Sequence, residues 1–196
     1  MKIFYNVDGD TFMIIKSALS NHHVHVTREV LDILFGNNYN LNIKRMLVQK
    51  GQFAAEETVT LIKNNKKIEH VRIVGPCRKY TQVELLERDA EYLGINPPIR
   101  SSGDLKGSET ITIVGPHGTY EAIESTIIAD RHIHMSSEDL KKCNVSKGQI
   151  VKIEINGITL DGVMIKSDET CVLEYHMNKD EAENLGIENG MEVKIC

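Results

Sequence analysis

The chain has 196 residues, enough to bury a core as one domain or two small ones, and its 41% apolar and 26% charged residues are ordinary for a soluble globular protein. A net charge of −5 gives no support to general nucleic-acid or membrane-surface binding. Four cysteines, at 77, 143, 171 and 196, show no CxxC spacing, which argues against a disulfide framework or a cysteine zinc site and fits a reduced, cytoplasmic protein.

In chain order, "KIFYNVDGDTF" (2–12) carries no secretory signal, and "MIIKSAL" (13–19) is too short and too polar to span a membrane. "SNHHVHVT" (20–27) reads as a short strand that puts His23 and His25 on one face and His22 on the other. A helix over 28–36 ends on Gly36. "GQFAAEE" (51–57) is a small-residue segment that lets a ligand approach the backbone, or equally a strand-entry loop. Strands over 58–62 and 70–74 flank the polar turn Lys63–Lys66. "GPCRKY" (75–80) puts Arg78 just ahead of Gln82 and Glu84, where a guanidinium is suited to fork onto an anion. A helix over 88–94 follows, with Gly94 as its cap.

Asn96-Pro97-Pro98 and the polar run Ser101–Asp104 form the clearest break. They divide the chain near 98/99 into a domain over 1–98 and a second over 99–196, an approximate boundary across which strands are free to exchange. Beyond it come a strand (110–114), the turn Gly115–Gly118, and "DRHIHMS" (130–136), a second HxH. Ser136 with Asp139 makes a capping box for a helix over 136–143. Strands over 150–155 and 190–195 flank a helix over 179–186. His70 and His117 lack any partner pattern and read as surface residues. Short strands joined by polar turns point to a mainly β protein, a barrel or a sandwich.

Aligning the four helices shows a repeated strand-helix unit. Six residues before Leu31, Ala90, Leu140 and Ala182 stand His25, Glu84, His134 and His176; two residues earlier stand His23, Gln82, His132 and Glu174. A lone strand histidine is ordinarily a surface or hydrogen-bonded residue. Two HxH pairs in matching contexts point instead to metal binding, because alternate strand residues present two imidazole nitrogens on one face. His23, His25, Glu84, His132, His134 and His176 are too many ligands for one tetrahedral ion. They suit two zinc ions with three protein ligands each; cobalt, nickel or iron fit the same donors. P-loop, GxGxxG, HExxH and GxSxG signatures are absent.

"SNHHVHVT", "GQFAAEETVTL", "GPCRKYTQVE", "SSGDL", "ITIVGPHG" and "DRHIHMS", in this order, resemble the PduL-type phosphate acyltransferases (phosphate propanoyltransferases). The resemblance implies two small β-barrel domains with short capping helices and a two-zinc site between them. It implies reversible transfer of a short acyl group, acetyl or propanoyl, between coenzyme A and inorganic phosphate. His23, His25 and Glu84 would then serve one zinc, and His132, His134 and His176 the other. Arg78 would bind phosphate beside Gln52, with Ser20, Arg45 and Arg72 near the coenzyme. Where the family shows "NRHVH", this chain has His22 in place of the Arg. The partners implied are acyl-CoA or CoA and phosphate or acyl phosphate, with no nucleic acid and no membrane. A homodimer is compatible with it. So is a bacterial microcompartment, although "KIFYNVDGDTF" makes no clear targeting segment, which favours a free cytoplasmic enzyme. The alternative on the same ligands is a metal-dependent hydrolase of thioesters or phosphoesters.

Overall fold

The computed structural model describes residues 2–5 and 11–195, with side chains from Met13 onward. Residues 6–10 of the segment weighed as a targeting sequence lie outside the described residues, as does Cys196. The strands are β1 (Lys2–Tyr5), β2 (Thr11–Ser20), β3 (His23–His25), β4 (Ile43–Met46), β5 (Phe53–Lys63), β6 (Lys66–Gly75), β7 (Gln82–Glu84), β8 (Ile99–Arg100), β9 (Glu109–Val114), β10 (Thr119–Ala129), β11 (His132–His134), β12 (Ile150–Ile155), β13 (Ile158–Lys166), β14 (Glu174–Asn178) and β15 (Glu192–Ile195). Among the described residues four short helices interrupt them: α1 (Arg28–Phe35), α2 (Glu87–Leu93), α3 (Ser137–Cys143) and α4 (Lys179–Asn184). None is long and apolar enough to cross a membrane.

The chain forms two compact units, one from Asn21 to Ala129 and one that joins the residues up to Ser20 with those from Asp130 on. Each unit is a closed six-stranded barrel. In the central unit the cycle runs β5-β6-β3-β7-β10-β9 and back to β5, with β4 and β8 attached at β5 and β10. In the terminal unit it runs β2-β14-β11-β13-β12-β15 and back to β2, with β1 alongside β2. Closure removes the free sheet edges that would otherwise invite further pairing.

The units divide at 20/21 and 129/130, not near 98/99. The Pro97-Pro98 break is a turn inside the central barrel: β8 pairs with the end of β10, so the chain on both sides of the prolines serves one sheet. The two barrels also repeat each other strand for strand. HxH strand β3 runs parallel to β6 and antiparallel to β7; HxH strand β11 runs parallel to β13 and antiparallel to β14. The sixth strand of each barrel comes from just before the other barrel's HxH: β2 leads into β3, and β10 into β11.

Each barrel has its own apolar core. Val24, Leu31, Leu34, Leu61, Val71, Ile73, Leu85, Ile111 and Ile113 fill the central one, and partly buried Cys77 packs against it as a small hydrophobe. Ile133, Met135, Ile153, Ile165, Tyr175 and Val193 fill the terminal one. The helix caps follow the sequence. Thr27 accepts from the Val30 amide, and the Ser136 hydroxyl and the Asp139 carboxylate bond each other's backbone in a capping box. Gly94 closes α2 in the left-handed region at φ 69°.

Candidate functional site

Strand alternation builds the first cluster. Val24 between the two histidines is fully buried in the core, which turns His23 and His25 to the opposite face. Antiparallel pairing then sets Glu84 opposite His23 and Gln82 opposite His25. The His23 Nδ1–H donates to the Asn21 carbonyl at 2.8 Å and the His25 Nδ1–H to the Val74 carbonyl at 3.0 Å. With those protons committed, the two Nε2 lone pairs face each other at 3.1 Å. Glu84 completes the group, its Oε2 lying 3.5 Å from the His23 Nε2 and its Oε1 4.0 Å from the His25 Nε2. Burial, the neighbouring His23 and the Arg78 guanidinium hold the His25 imidazole well below its usual pKa. It is therefore a neutral lone-pair donor at physiological pH.

The terminal barrel repeats this geometry. His132 and His134 stand at 3.2 Å between their Nε2 atoms, and His176 lies opposite His132 in register. The ring pairs match closely: centroids 4.8 Å apart in both, at interplanar angles of 89° and 83°. The His132 Nδ1–H donates to the Asp130 carbonyl at 2.8 Å, and the His134 Nδ1 contacts the Cys171 sulfur at 3.3 Å. Burial first, then the positive field of Lys166, holds His132 well below its usual pKa. Lys166 itself is paired to Asp130 at 3.3 Å.

In each cluster the three ligand atoms lie within 4.8 Å of one another. Ring nitrogens this close repel wherever both present lone pairs, and a cation among them removes the repulsion. Two imidazoles with a carboxylate, and three imidazoles, are donor sets that zinc accepts while keeping a position for substrate. The residues present therefore fit one divalent ion in each barrel.

A hydrogen-bonded polar group centred on Arg78 adjoins the first cluster. The Arg78 amide donates to the Val26 carbonyl at 2.8 Å, tying the loop to the end of β3. The Arg78 guanidinium reaches the Gln52 Oε1 at 3.4 Å and the Ser102 hydroxyl at 3.3 Å. The Gln82 amide donates to the Glu84 carboxylate at 2.6 Å and to the Ser102 Oγ at 2.7 Å, and its own carbonyl accepts from the Gly103 amide at 2.7 Å. Gly103 has φ 94°, and a Cβ there would lie 3.2 Å from the Tyr80 hydroxyl, so the tight loop suits glycine.

Of the remaining sequence candidates, Arg72 commits one guanidinium nitrogen to the Ala55 and Glu56 carbonyls at 2.6 and 3.0 Å. Arg45 is exposed on β4, across from Ala54. Ser20 pairs with Asn178 on the terminal barrel. His22 bonds Asp89 at 2.7 Å through its Nδ1, away from the ligand group, and His70 and His117 are exposed. Sequence reasoning gave Ser102 no role, having read its segment as a break and as one of the resembling motifs. It also missed Glu57, whose buried carboxylate accepts from Tyr39 and Asn42 and braces the loop before β4.

The chain is similar to known proteins over most of its length. A family model described as phosphate propanoyltransferase matches residues 16–188. The chain is 44% identical to the phosphate propanoyltransferase of Thermotoga maritima over 84% of this chain and 80% of the relative. It is 40% identical to that of Rhodobacter capsulatus, over 91% and 84%, and 41% identical to that of Lachnoclostridium phytofermentans, over 95% and 89%.

Proposed function

Because the chain belongs to the phosphate propanoyltransferase family, and is thus a phosphate acyltransferase, we propose that it moves an acetyl or propanoyl group between coenzyme A and inorganic phosphate with two zinc ions, one in each barrel. The single observation that carries the proposal is the Arg78 guanidinium, poised with Gln52 and Ser102 beside the His23, His25 and Glu84 cluster. In the forward direction a phosphate oxygen bonds to the thioester carbonyl carbon, the C–S bond breaks, and its electron pair leaves with the coenzyme sulfur. A bound divalent ion supplies a Lewis acid for the charge that develops.

The chain's own residues hold the anion. Arg78 offers a planar fork of donors and offsets part of the phosphate charge. The Gln52 carbonyl accepts from Arg78, which leaves the Gln52 amide hydrogens to donate. Fixing the nucleophile here turns a bimolecular encounter into an oriented attack. By the same reading Ser20, Arg45 and Arg72 serve the coenzyme.

The test combines metal removal with substitution. Chelator-stripped protein loses phosphate-dependent CoA release and regains it on adding zinc. Arg78→Ala keeps the metal content of the wild type and loses at least about 100-fold in kcat/KM for phosphate, as expected when a charged donor is removed from a developing charge. CoA release that continues without phosphate, or full activity in metal-free protein, would reject the reading.

A further inference from the structure

The two clusters differ in their third ligand, and the residue beside that ligand differs to match. Gln82 and Glu174 hold equivalent places: each stands across from the second histidine of its HxH, two residues before the third ligand. Gln82 gives an N–H to the Glu84 carboxylate at 2.6 Å. Glu174 takes an N–H from the His176 Nε2 at 2.7 Å. A carboxylate ligand can be oriented only by a donor, and an imidazole N–H only by an acceptor. Each barrel has the neighbour that its ligand requires.

Two consequences follow at His176. The carboxylate oxygen accepts, so the ring proton sits on Nε2 and the lone pair on Nδ1. His132 carries its lone pair on Nε2, because its Nδ1–H donates to a carbonyl. His23, His25 and Glu84 bring one negative charge, whereas His132, His134 and His176 bring none. The Glu174 carboxylate, only 15% exposed, restores one to the terminal cluster.

We propose that Glu174 is a positioning residue that fixes His176 as an Nδ1 ligand and gives the three-histidine cluster the charge that Glu84 gives the other. This rests on the reading of both clusters as metal sites. It adds the assignment of a specific ring nitrogen and of a neighbour that tunes the ion.

The experiment titrates metal-stripped full-length protein with Zn2+ against a chromophoric chelator, for the wild type, E174A, E174Q and the control H176A. Long-range 1H–15N spectra of zinc-loaded, histidine-labelled protein read the ring nitrogens. The wild type is expected to bind two ions, with His176 metal-bound through Nδ1 and protonated on Nε2. E174A should weaken one of the two ions by about 10–100-fold, leave the other unchanged and lose that His176 signature. E174Q should fall between them, since its carbonyl accepts the same N–H without the charge; should E174A not fold, E174Q decides. Wild-type affinity for both ions in E174A with the His176 signature retained, or wild-type affinity in E174Q where E174A does not fold, overturns the assignment while leaving the metal reading intact. A wild type that binds no zinc, or an H176A that binds as tightly as the wild type, removes the metal reading and the assignment together.

Discussion

The Ser102 hydroxyl accepts two N–H donors, from Gln82 and from Arg78, so both of its lone pairs are used and its own proton remains to be given. An anion in the Arg78 cradle is the partner that such a proton suits. Ser102→Ala is expected to raise the KM for phosphate by about 10-fold with little change in kcat, the effect of losing about one charge-assisted hydrogen bond. Steady-state kinetics at saturating acyl-CoA measures it, and an unchanged KM would take Ser102 out of the anion site. Four of the six metal candidates were legible because strand alternation is a local rule: "HVH" and "HIH" reveal a shared face without any tertiary information, and the repeated strand-helix spacing added Glu84 and His176. Ser102 was not, because "SSGDL" carries only loop chemistry and gains its role by folding back 20 residues onto Gln82. The donor and acceptor roles of Gln82 and Glu174 were equally hidden, since they depend on cross-strand register.

Among the elements, β5 and β6 show how close packing aims the cradle. Phe53 stands opposite Gly75 in register, and a Cβ on Gly75 would come within 2.4 Å of the Phe53 ring. Gly75→Ala should therefore destabilise the protein by about 1–3 kcal/mol through overpacking. It should also lower activity, because residue 75 leads directly into the loop that carries Arg78. Phe53→Leu in the same chain should recover part of the stability. Urea melts of the three variants check this, and a Gly75→Ala midpoint equal to that of the wild type would show that the contact yields. The strands with clean alternation, β9 and β12, were readable almost to the residue. The long ones were not. β10 slips register between Ala122 and Thr126, with Glu124 at φ 45°, and β13 carries Gly162 at φ 76°. Bulges of this kind break the period that sequence reading depends on. β2 passed as a short apolar run because its partners, β14 and β15, lie at the far end of the chain.

For the molecule as a whole, strand exchange decides what can stand alone. Residues 21–129 contain all six strands of the central barrel, along with His23, His25 and Glu84. A 21–129 fragment should melt cooperatively and bind one zinc ion. A 130–196 fragment lacks β2, leaves β14 and β15 as open edges, and should aggregate. Circular dichroism, size-exclusion chromatography and metal analysis of the two fragments test this; a monomeric, folded 130–196 would contradict it. The exchange also explains why the boundary was misjudged, since Pro97-Pro98 is a local signal and barrel membership is not. The pairing of Met13 with Ile195 bears on how the protein is made. On the ribosome, the central barrel can close once Ala129 has emerged. β2, among the first strands to leave the exit tunnel, must wait for nearly the last residues translated before its sheet is complete. Throughout that interval β2 has only β1 beside it and lacks both of its barrel partners, a partly open sheet next to a folded neighbour, and it is the segment on which a nascent-chain chaperone would act.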